Sequence, residues 1–231
     1  DVESISKLFD EFGILTVCDS VAGMFGEPLD INNSKIDILC GGSQKALSAP
    51  PGLTMVWVSD RAFETMQNRK TPIKAFYANL LLIKDYYENQ WFPYTMPASD
   101  IMGLRVAIDN YLKDAGFQKR HERLAKAVRN AVEKAGLKLY LESGFSNNVT
   151  VIEIPEGITE DEILSGLRDE FGILISGCFD VLKGKVIRIG HMGENANKED
   201  IAQTLAGLQN ILEAHGIKLT CEMKDEFLLS C

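Results

Sequence analysis

The sequence has little of what nucleic-acid-binding, exported or membrane-spanning proteins need. Its 24 Lys and Arg residues are outnumbered by 33 Asp and Glu residues, and a formal net charge of −9 argues against binding to a phosphate backbone. No apolar run approaches the length of a membrane-spanning helix, and the first residues carry no secretory signal pattern. We therefore expect a protein that binds neither nucleic acid nor membrane.

Several chemical motifs are also missing. The five cysteines include no C-x-x-C pair, and Cys18 and Cys40 lie in apolar, strand-like runs where a thiol acts as a small hydrophobe. A reducing compartment suits them best, so we expect a cytoplasmic protein. There is no zinc-ligand spacing, no Walker loop and no Ser-His-Asp arrangement, so no metal site is predicted.

The first half of the chain reads as part of an α/β domain. A helical pattern over residues 1–12 is followed by apolar runs that predict strands at 14–18, 36–41 and 53–58. Continuously apolar strands are typical of a mostly parallel sheet with helices on both faces. No strand is predicted before the first helix, so we expect the chain to start within a fold of this kind.

The second half alternates helices and strands more tightly. Helical patterns cover residues 97–135 with a break at Gly116, where we place a boundary between a domain of residues 1–115 and a smaller α+β domain of residues 116–231. The predicted elements of the smaller domain are strands at 149–154, 173–176 and 186–190 and helices at 159–171 and 198–215. The tail after Gly216 is predicted to be a short edge segment.

Lys45 and Asp19 are the candidates for chemistry. Lys45 lies among small and apolar residues after the second strand, where partial desolvation favours the neutral, nucleophilic amine. Asp19 ends the first strand, and ligands of open α/β sheets bind beyond such strand ends. A lysine that condenses with an aldehyde and a carboxylate that keeps a pyridinium nitrogen protonated are what pyridoxal-phosphate chemistry needs. Taken singly, a surface lysine and a turn-capping aspartate are the ordinary alternatives.

The segments around both residues carry a family resemblance. Asp19-Ser-Val-Ala22 with Gly26-Glu-Pro-Leu-Asp30, and the segment from Gly42 to Gly52, resemble fold-type I, class V pyridoxal-phosphate aminotransferases of the alanine–glyoxylate and serine–pyruvate family. The resemblance implies that Lys45 is catalytic and binds pyridoxal 5′-phosphate. It also implies that Asp19 pairs with the ring nitrogen, Val21 packs against the ring and Gln44 approaches the phosphate.

Two later segments extend the resemblance. Pro93 to Pro97 is similar to the segment whose tyrosine and threonine reach the neighbouring subunit's phosphate, so Tyr94 and Thr95 imply a homodimer with shared active sites. Ile187 to Gly193 is similar to the strand whose arginine holds the substrate carboxylate, which implies that role for Arg188. After Gly177 the family often has further glycines, whereas this chain has Cys178-Phe-Asp180, and substrate choice stays open.

The three histidines receive structural interpretations. His121, in a helix rich in charged residues, is expected to be solvated. His191 is expected to be packed near Arg188, and His215 is expected to end a helix, where an imidazolium suits the helix dipole.

The resemblance implies transfer of an amino group from a small amino acid, alanine or serine, to glyoxylate or pyruvate. Alternatives are a pyridoxamine–pyruvate type, a desulfurase or lyase type, or a non-catalytic α/β module. Desulfurases usually carry a histidine before the cofactor lysine, where this chain has Gln44. The family's large domain begins upstream of Asp1, so we expect roughly the C-terminal three-fifths of such an enzyme, inactive alone because its sheet would expose an unpaired edge.

Overall fold

The computed structural model describes residues 1–231 and forms two compact units. The N-terminal unit comprises Asp1–Met24 and Pro28–Asn110, and the C-terminal unit comprises Phe25–Glu27 and Tyr111–Cys231. The units thus divide at residues 110 and 111, and a short early segment belongs to the second unit. The assignment of residues 1–115 and 116–231 to a large and a small domain stays a prediction.

A small mixed sheet organises the N-terminal unit. The strands are β1 (Val17–Asp19), β2 (Ile38–Gly42) and β3 (Thr54–Val58), and the helices are α1 (Val2–Glu11), α2 (Asp60–Gln67) and most of α3 (Ala98–Lys113), whose residues 111–113 are assigned to the C-terminal unit. Strand β1 pairs in parallel with β2, which pairs antiparallel with β3. The parallel pair is therefore the part of the sheet in which two strands end at the same edge.

Asp37, just before β2, ties the elements of this unit together. The residue is only 3% exposed. Its carboxylate accepts hydrogen bonds from Arg61 of α2 (Nη2 to Oδ2, 2.6 Å), from the Thr16 backbone and from the Ser59 hydroxyl. Desolvation alone would raise the pKa of Asp37, but these donors, Arg61 above all, hold that pKa below its ordinary value. Arg61 also pairs with Asp10 of α1.

Two of the apolar strands are less covered than their sequences suggest. Val17 in β1 is 66% exposed and Trp57 in β3 is 40% exposed. The expectation that helices cover both faces of these strands is therefore wrong within this chain. An apolar run predicts that a strand has a surface to bury, but it does not identify the segment that covers it.

The C-terminal unit is an α+β arrangement around one apolar core. Its helices are α4 (Phe117–Lys134), α5 (Glu160–Phe171), α6 (Lys198–Ala214) and α7 (Met223–Ser230), and its strands are β4 (Val149–Glu153) and β5 (Val186–Gly190), paired antiparallel. Thr159 and Glu162 form the capping box that starts α5. None of the helices in either unit is both long and apolar enough to cross a membrane.

The structure corrects two predictions and adds one helix. The tail after Gly216 is not an edge segment, because helix α7 buries Met223 and Phe227 in the core. Residues 173–176 do not form a strand, and Ser176 makes only an isolated bridge to Arg188. Helix α2 was not predicted, although Ser59 caps its first turn by accepting the Ala62 N–H.

The interpretation of His121 as a solvated residue is also wrong. Its side chain is fully buried, with Nδ1 2.8 Å from the Phe117 carbonyl oxygen, and Nε2 accepts the backbone N–H of Gly193 at 2.9 Å. Desolvation lowers the pKa of His121. His191 is buried as expected, and His215 caps the end of α6, also as expected.

Candidate active site

The carboxyl ends of the parallel strands bring Asp19 and Lys45 to one edge of the sheet. Asp19 is the last residue of β1 and lies in register with Cys40 of β2. The Ser20 N–H donates to the Cys40 carbonyl at 2.9 Å, and β2 ends at Gly42, three residues before Lys45. Because ligands of such sheets bind beyond the carboxyl ends of the strands, this edge is the candidate site.

The Asp19 carboxylate has one oxygen engaged and one available. Oδ1 accepts the backbone N–H of Val21 at 3.0 Å, which is the turn expected of an aspartate at a strand end. Oδ2 accepts no hydrogen bond within the chain, and the side chain is exposed. The local turn therefore fixes the carboxylate without occupying both of its oxygens.

Lys45 lies in a turn that buried Ser43 holds in place. The Ser43 hydroxyl donates to the Pro50 carbonyl at 2.6 Å, and the Ala49 N–H donates to the Ser43 carbonyl at 3.0 Å. Lys45 is half-buried, and its Nζ has no hydrogen-bond or ion-pair partner within the chain. The role of Ser43 was not predicted, although a small polar residue between Gly42 and the segment of Lys45 indicates a tight turn.

Gly42 is the point where the side chains of Val21 and Gln44 meet. A Cβ atom at Gly42 would lie 3.0 Å from Gln44 Oε1 and 3.2 Å from Val21 Cγ1. The residues that the resemblance assigns to the ring and to the phosphate are thus neighbours, and the absence of a side chain at Gly42 leaves room between them. Gly41 is even more constrained, because its Cβ would lie 2.1 Å from Met24 Sδ.

Cys18, beside Asp19, is not poised as a nucleophile. Burial raises the pKa of the Cys18 thiol, and the neighbouring Asp19 and Cys40 raise it further. All five cysteines are unpaired, and no group of three His, Cys, Asp or Glu side chains is placed to hold a metal ion.

Tyr94 and Thr95 lie apart from these contacts. The Tyr94 hydroxyl is within donating distance of the Phe76 and Tyr77 carbonyls, at 3.1 and 2.8 Å, and its ring packs edge-on against Phe76 and Phe92. Thr95 is exposed. No hydrogen bond joins either residue to Asp19 or Lys45 within the chain, so their role at a partner's site stays a prediction.

Arg188, on β5 of the C-terminal unit, has a fixed guanidinium with a free outer edge. Its Nε donates to the Gly177 carbonyl at 2.7 Å, and its backbone exchanges hydrogen bonds with Ser176. The guanidinium carbon lies 5.7 Å from the centroid of the Phe179 ring. Neither Nη nitrogen has a hydrogen-bond or ion-pair partner within the chain, so the two together form an open fork for a carboxylate.

Comparison with known proteins places these residues in a family. The family model described as aminotransferase class-V matches residues 1–203. The chain belongs to the class V aminotransferases. An uncharacterized aminotransferase of Methanocaldococcus jannaschii is 36% identical over 223 residues, covering 94% of this chain and 57% of the relative. An alanine–glyoxylate aminotransferase of Callithrix jacchus is 31% identical over 225 residues, covering 92% of this chain and 53% of the relative.

A solved structure shows the same architecture. The pyridoxamine–pyruvate aminotransferase of Mesorhizobium loti superposes with a TM-score of 0.94 at 30% identity, covering 99% of this chain and 60% of that chain. The predicted fold class, part of a pyridoxal-phosphate transferase large domain followed by a smaller α+β part, is confirmed. The chain spans little more than half the length of the curated relatives named above.

Family membership makes pyridoxal 5′-phosphate the cofactor, and the residues of the N-terminal unit fit it. The free Lys45 amine suits an aldehyde, and the outer Asp19 oxygen suits a protonated ring nitrogen. Val21 and Gln44, whose side chains both approach Gly42, offer an apolar and a polar contact side by side.

Proposed function

We propose that the complete protein is a pyridoxal-phosphate-dependent aminotransferase that moves an amino group from a small amino acid, alanine or serine, to glyoxylate or pyruvate. The observation that carries the proposal is the shared sheet edge, at which Asp19 and Lys45 follow two adjacent parallel strands. The matched names of relatives, alanine–glyoxylate and pyridoxamine–pyruvate aminotransferases, support small amino donors and these two oxo-acid acceptors.

Each residue has a role that its contacts allow. When bound, the cofactor supplies an aldehyde that takes up the amino group and a ring that accepts the electron pair left at the substrate Cα. Lys45 would hold the cofactor through Nζ and, as the free amine, would move the proton from the substrate Cα as a general base. Asp19 would keep the ring nitrogen protonated, Val21 would pack against the ring and Gln44 would contact the phosphate.

Arg188 selects substrates that carry a carboxylate. A guanidinium whose two Nη nitrogens are free can bind a carboxylate through two parallel hydrogen bonds, which fixes the orientation of an amino acid as well as its position. Alanine, serine, glyoxylate and pyruvate all carry such a carboxylate, so one arginine serves both half-reactions.

The proposal includes a homodimer and a cytoplasmic location. Tyr94 and Thr95 would contact the phosphate of the neighbouring subunit, as the family resemblance implies. The exposed aromatic side chains around them, Phe76, Tyr77 and Trp91, are available for burial against a second subunit. The five unpaired cysteines fit a reducing compartment.

Substitution of Lys45 tests the mechanism. In the complete protein, Lys45→Ala should abolish both the absorbance of the lysine-bound cofactor and turnover of alanine with glyoxylate, because the Lys45 amine performs both tasks. Lys224→Ala removes an exposed lysine of α7 and is the matched control, which should retain both. Normal transamination by Lys45→Ala would refute the proposed mechanism.

A donor panel tests the substrate class. Alanine or serine with glyoxylate should turn over faster than pyridoxamine with pyruvate, because pyridoxamine offers no carboxylate to Arg188. The reverse order would replace the amino-acid assignment with the pyridoxamine–pyruvate type.

A further inference from the structure

One loop holds the Arg188 guanidinium at two points. The loop of residues 177–184 begins with Gly177, whose carbonyl accepts from Arg188 Nε at 2.7 Å, and continues to Phe179, whose ring centroid lies 5.7 Å from the guanidinium carbon. That distance is within the range of a cation–π contact. Phe179 is 76% exposed, so little else in the chain covers this large apolar side chain.

Glu160, in the first turn of α5, braces the same loop at both ends. Its Oε2 accepts the backbone N–H of Gly184 at 2.5 Å. Its Oε1 occupies the space where a side chain at Gly177 would begin, because a Cβ there would lie only 1.8 Å away. The carboxylate thus packs against the start of the loop while it hydrogen-bonds to the end, and glycine at 177 permits that approach.

The orientation of the Arg188 guanidinium therefore depends on contacts outside β5. Its Nε donates a hydrogen bond to the Gly177 carbonyl, Glu160 packs against the glycine that bears this carbonyl, and the Phe179 ring lies beside the guanidinium. A long, flexible arginine side chain loses less freedom on binding when its fork is already held in place.

Building on the proposed function, we propose that Glu160 and Phe179 are positioning residues for Arg188, which act through the 177–184 loop to set the affinity for the substrate carboxylate. Neither residue contacts the reacting atoms. Their loss should weaken carboxylate binding and leave the chemical step intact, so the KM for amino acids rises while kcat is unchanged.

Substitutions of Phe179 test the ring contact. In the complete protein loaded with pyridoxal phosphate, Phe179→Leu should raise the KM for alanine by about two- to fivefold, the range of an exposed cation–π contact. Phe179→Tyr keeps the ring and should restore the original KM. Val181→Ala alters another exposed apolar residue of the same loop and should have no effect.

Substitutions of Glu160 test the brace. Glu160→Ala should raise the KM for alanine by about two- to tenfold, the range of a lost hydrogen bond. Glu160→Gln retains an acceptor for the Gly184 N–H and should lie near the wild type. Asp161→Asn removes the neighbouring first-turn carboxylate and controls for the charge at the start of α5.

A double substitution tests whether Glu160 acts through Gly177. Gly177→Ala alone should raise the KM, because its methyl group displaces the Glu160 carboxylate. In a Glu160→Ala background the methyl group meets no carboxylate, so the double variant should match Glu160→Ala alone rather than show the product of the two effects. Multiplicative effects would contradict the brace.

The outcomes separate this inference from the proposed function. Unchanged KM values for alanine in Phe179→Leu and Glu160→Ala, with a raised KM in Arg188→Lys, would overturn the positioning role and leave the function standing. An unchanged KM in Arg188→Lys would overturn the carboxylate role of Arg188 and, with it, the positioning inference. Bound-cofactor absorbance should be equal in all these variants, since none of them alters Asp19 or Lys45.

Discussion

His191 should make the stability of the C-terminal unit depend on pH. The ring is fully buried, with Nε2 2.8 Å from the Thr150 hydroxyl oxygen and Nδ1 3.1 Å from the Asn147 carbonyl oxygen. Burial lowers the pKa of His191 from 6.5 to about 4. The unfolded chain therefore binds a proton that the folded unit excludes, so the contribution is complete above pH 6.5 and is lost as the pH falls toward 4.

The size of the effect follows from the two pKa values. Each pKa unit corresponds to about 1.4 kcal/mol, so the whole difference is worth about 3 kcal/mol. Between pH 7.5 and pH 5 about 2 kcal/mol of that should be lost, because at pH 5 an unfolded histidine is almost fully protonated whereas folded His191 is still mostly neutral. A His191→Gln variant should lack this loss and keep only the pH dependence that buried His121 contributes.

The assay must report the unfolding of the C-terminal unit alone. Both tryptophans, Trp57 and Trp91, lie in the N-terminal unit, so their fluorescence is unsuitable. Urea unfolding followed by hydrogen–deuterium exchange of peptides from α4 and α6 gives the free energy of unfolding of the right unit at each pH. If wild type and His191→Gln lose equal stability between pH 7.5 and pH 5, the burial of a neutral His191 is not the cause.

Three further substitutions test the packing. Arg61→Ala should destabilise the N-terminal unit by about 2–3 kcal/mol, because the buried Asp37 carboxylate loses its charged donor; an unchanged urea midpoint would contradict this. Gly26→Ala should cost about 1–3 kcal/mol in the C-terminal unit, since its Cβ would lie 2.1 Å from Asn148 Oδ1, and a neutral result would mean that Asn148 moves freely. Thr159→Ala should cost about 1 kcal/mol by removing the α5 cap, with Thr159→Ser as the control that retains it.

Elements with strong local signals could be predicted from the sequence. Strand β5 has the predicted bounds of 186–190, and α5 begins after the predicted capping box. The approach of Asp19 and Lys45 to one edge followed from the rule that parallel strands end together. For β5 and α5 the signal lies within a few residues of the feature that it predicts, whereas the approach of Asp19 and Lys45 rests on a general rule of sheet topology.

His121 shows how a local signal can mislead. The neighbouring residues, Lys119, Arg120, Glu122 and Arg123, suggest a solvated helix. Yet His121 follows Phe117 by four residues and precedes Leu124 by three, which places it on the apolar face that α4 buries. For predicting whether a helical residue is buried, its spacing from apolar residues is therefore a better guide than the average charge of the segment.

Contacts between distant parts of the chain could not be predicted. The Glu160 brace joins residues 17 and 24 positions apart through a glycine that has no side chain to mark it. The segment Cys178-Phe-Asp180 departs from the family pattern, but no local signal in the sequence predicts that Phe179 lies beside Arg188. Such contacts depend on how α5, the 177–184 loop and β5 pack together.

Reduction of the complete, cofactor-loaded protein with borohydride, followed by peptide mass spectrometry, shows which lysine holds the cofactor. Borohydride fixes a lysine-bound pyridoxal phosphate irreversibly, so the label can be assigned to one residue. We expect the label on the peptide that contains Lys45, with none on the other lysines. A label on a different lysine, or a protein that binds the cofactor without a reducible lysine bond, would contradict it.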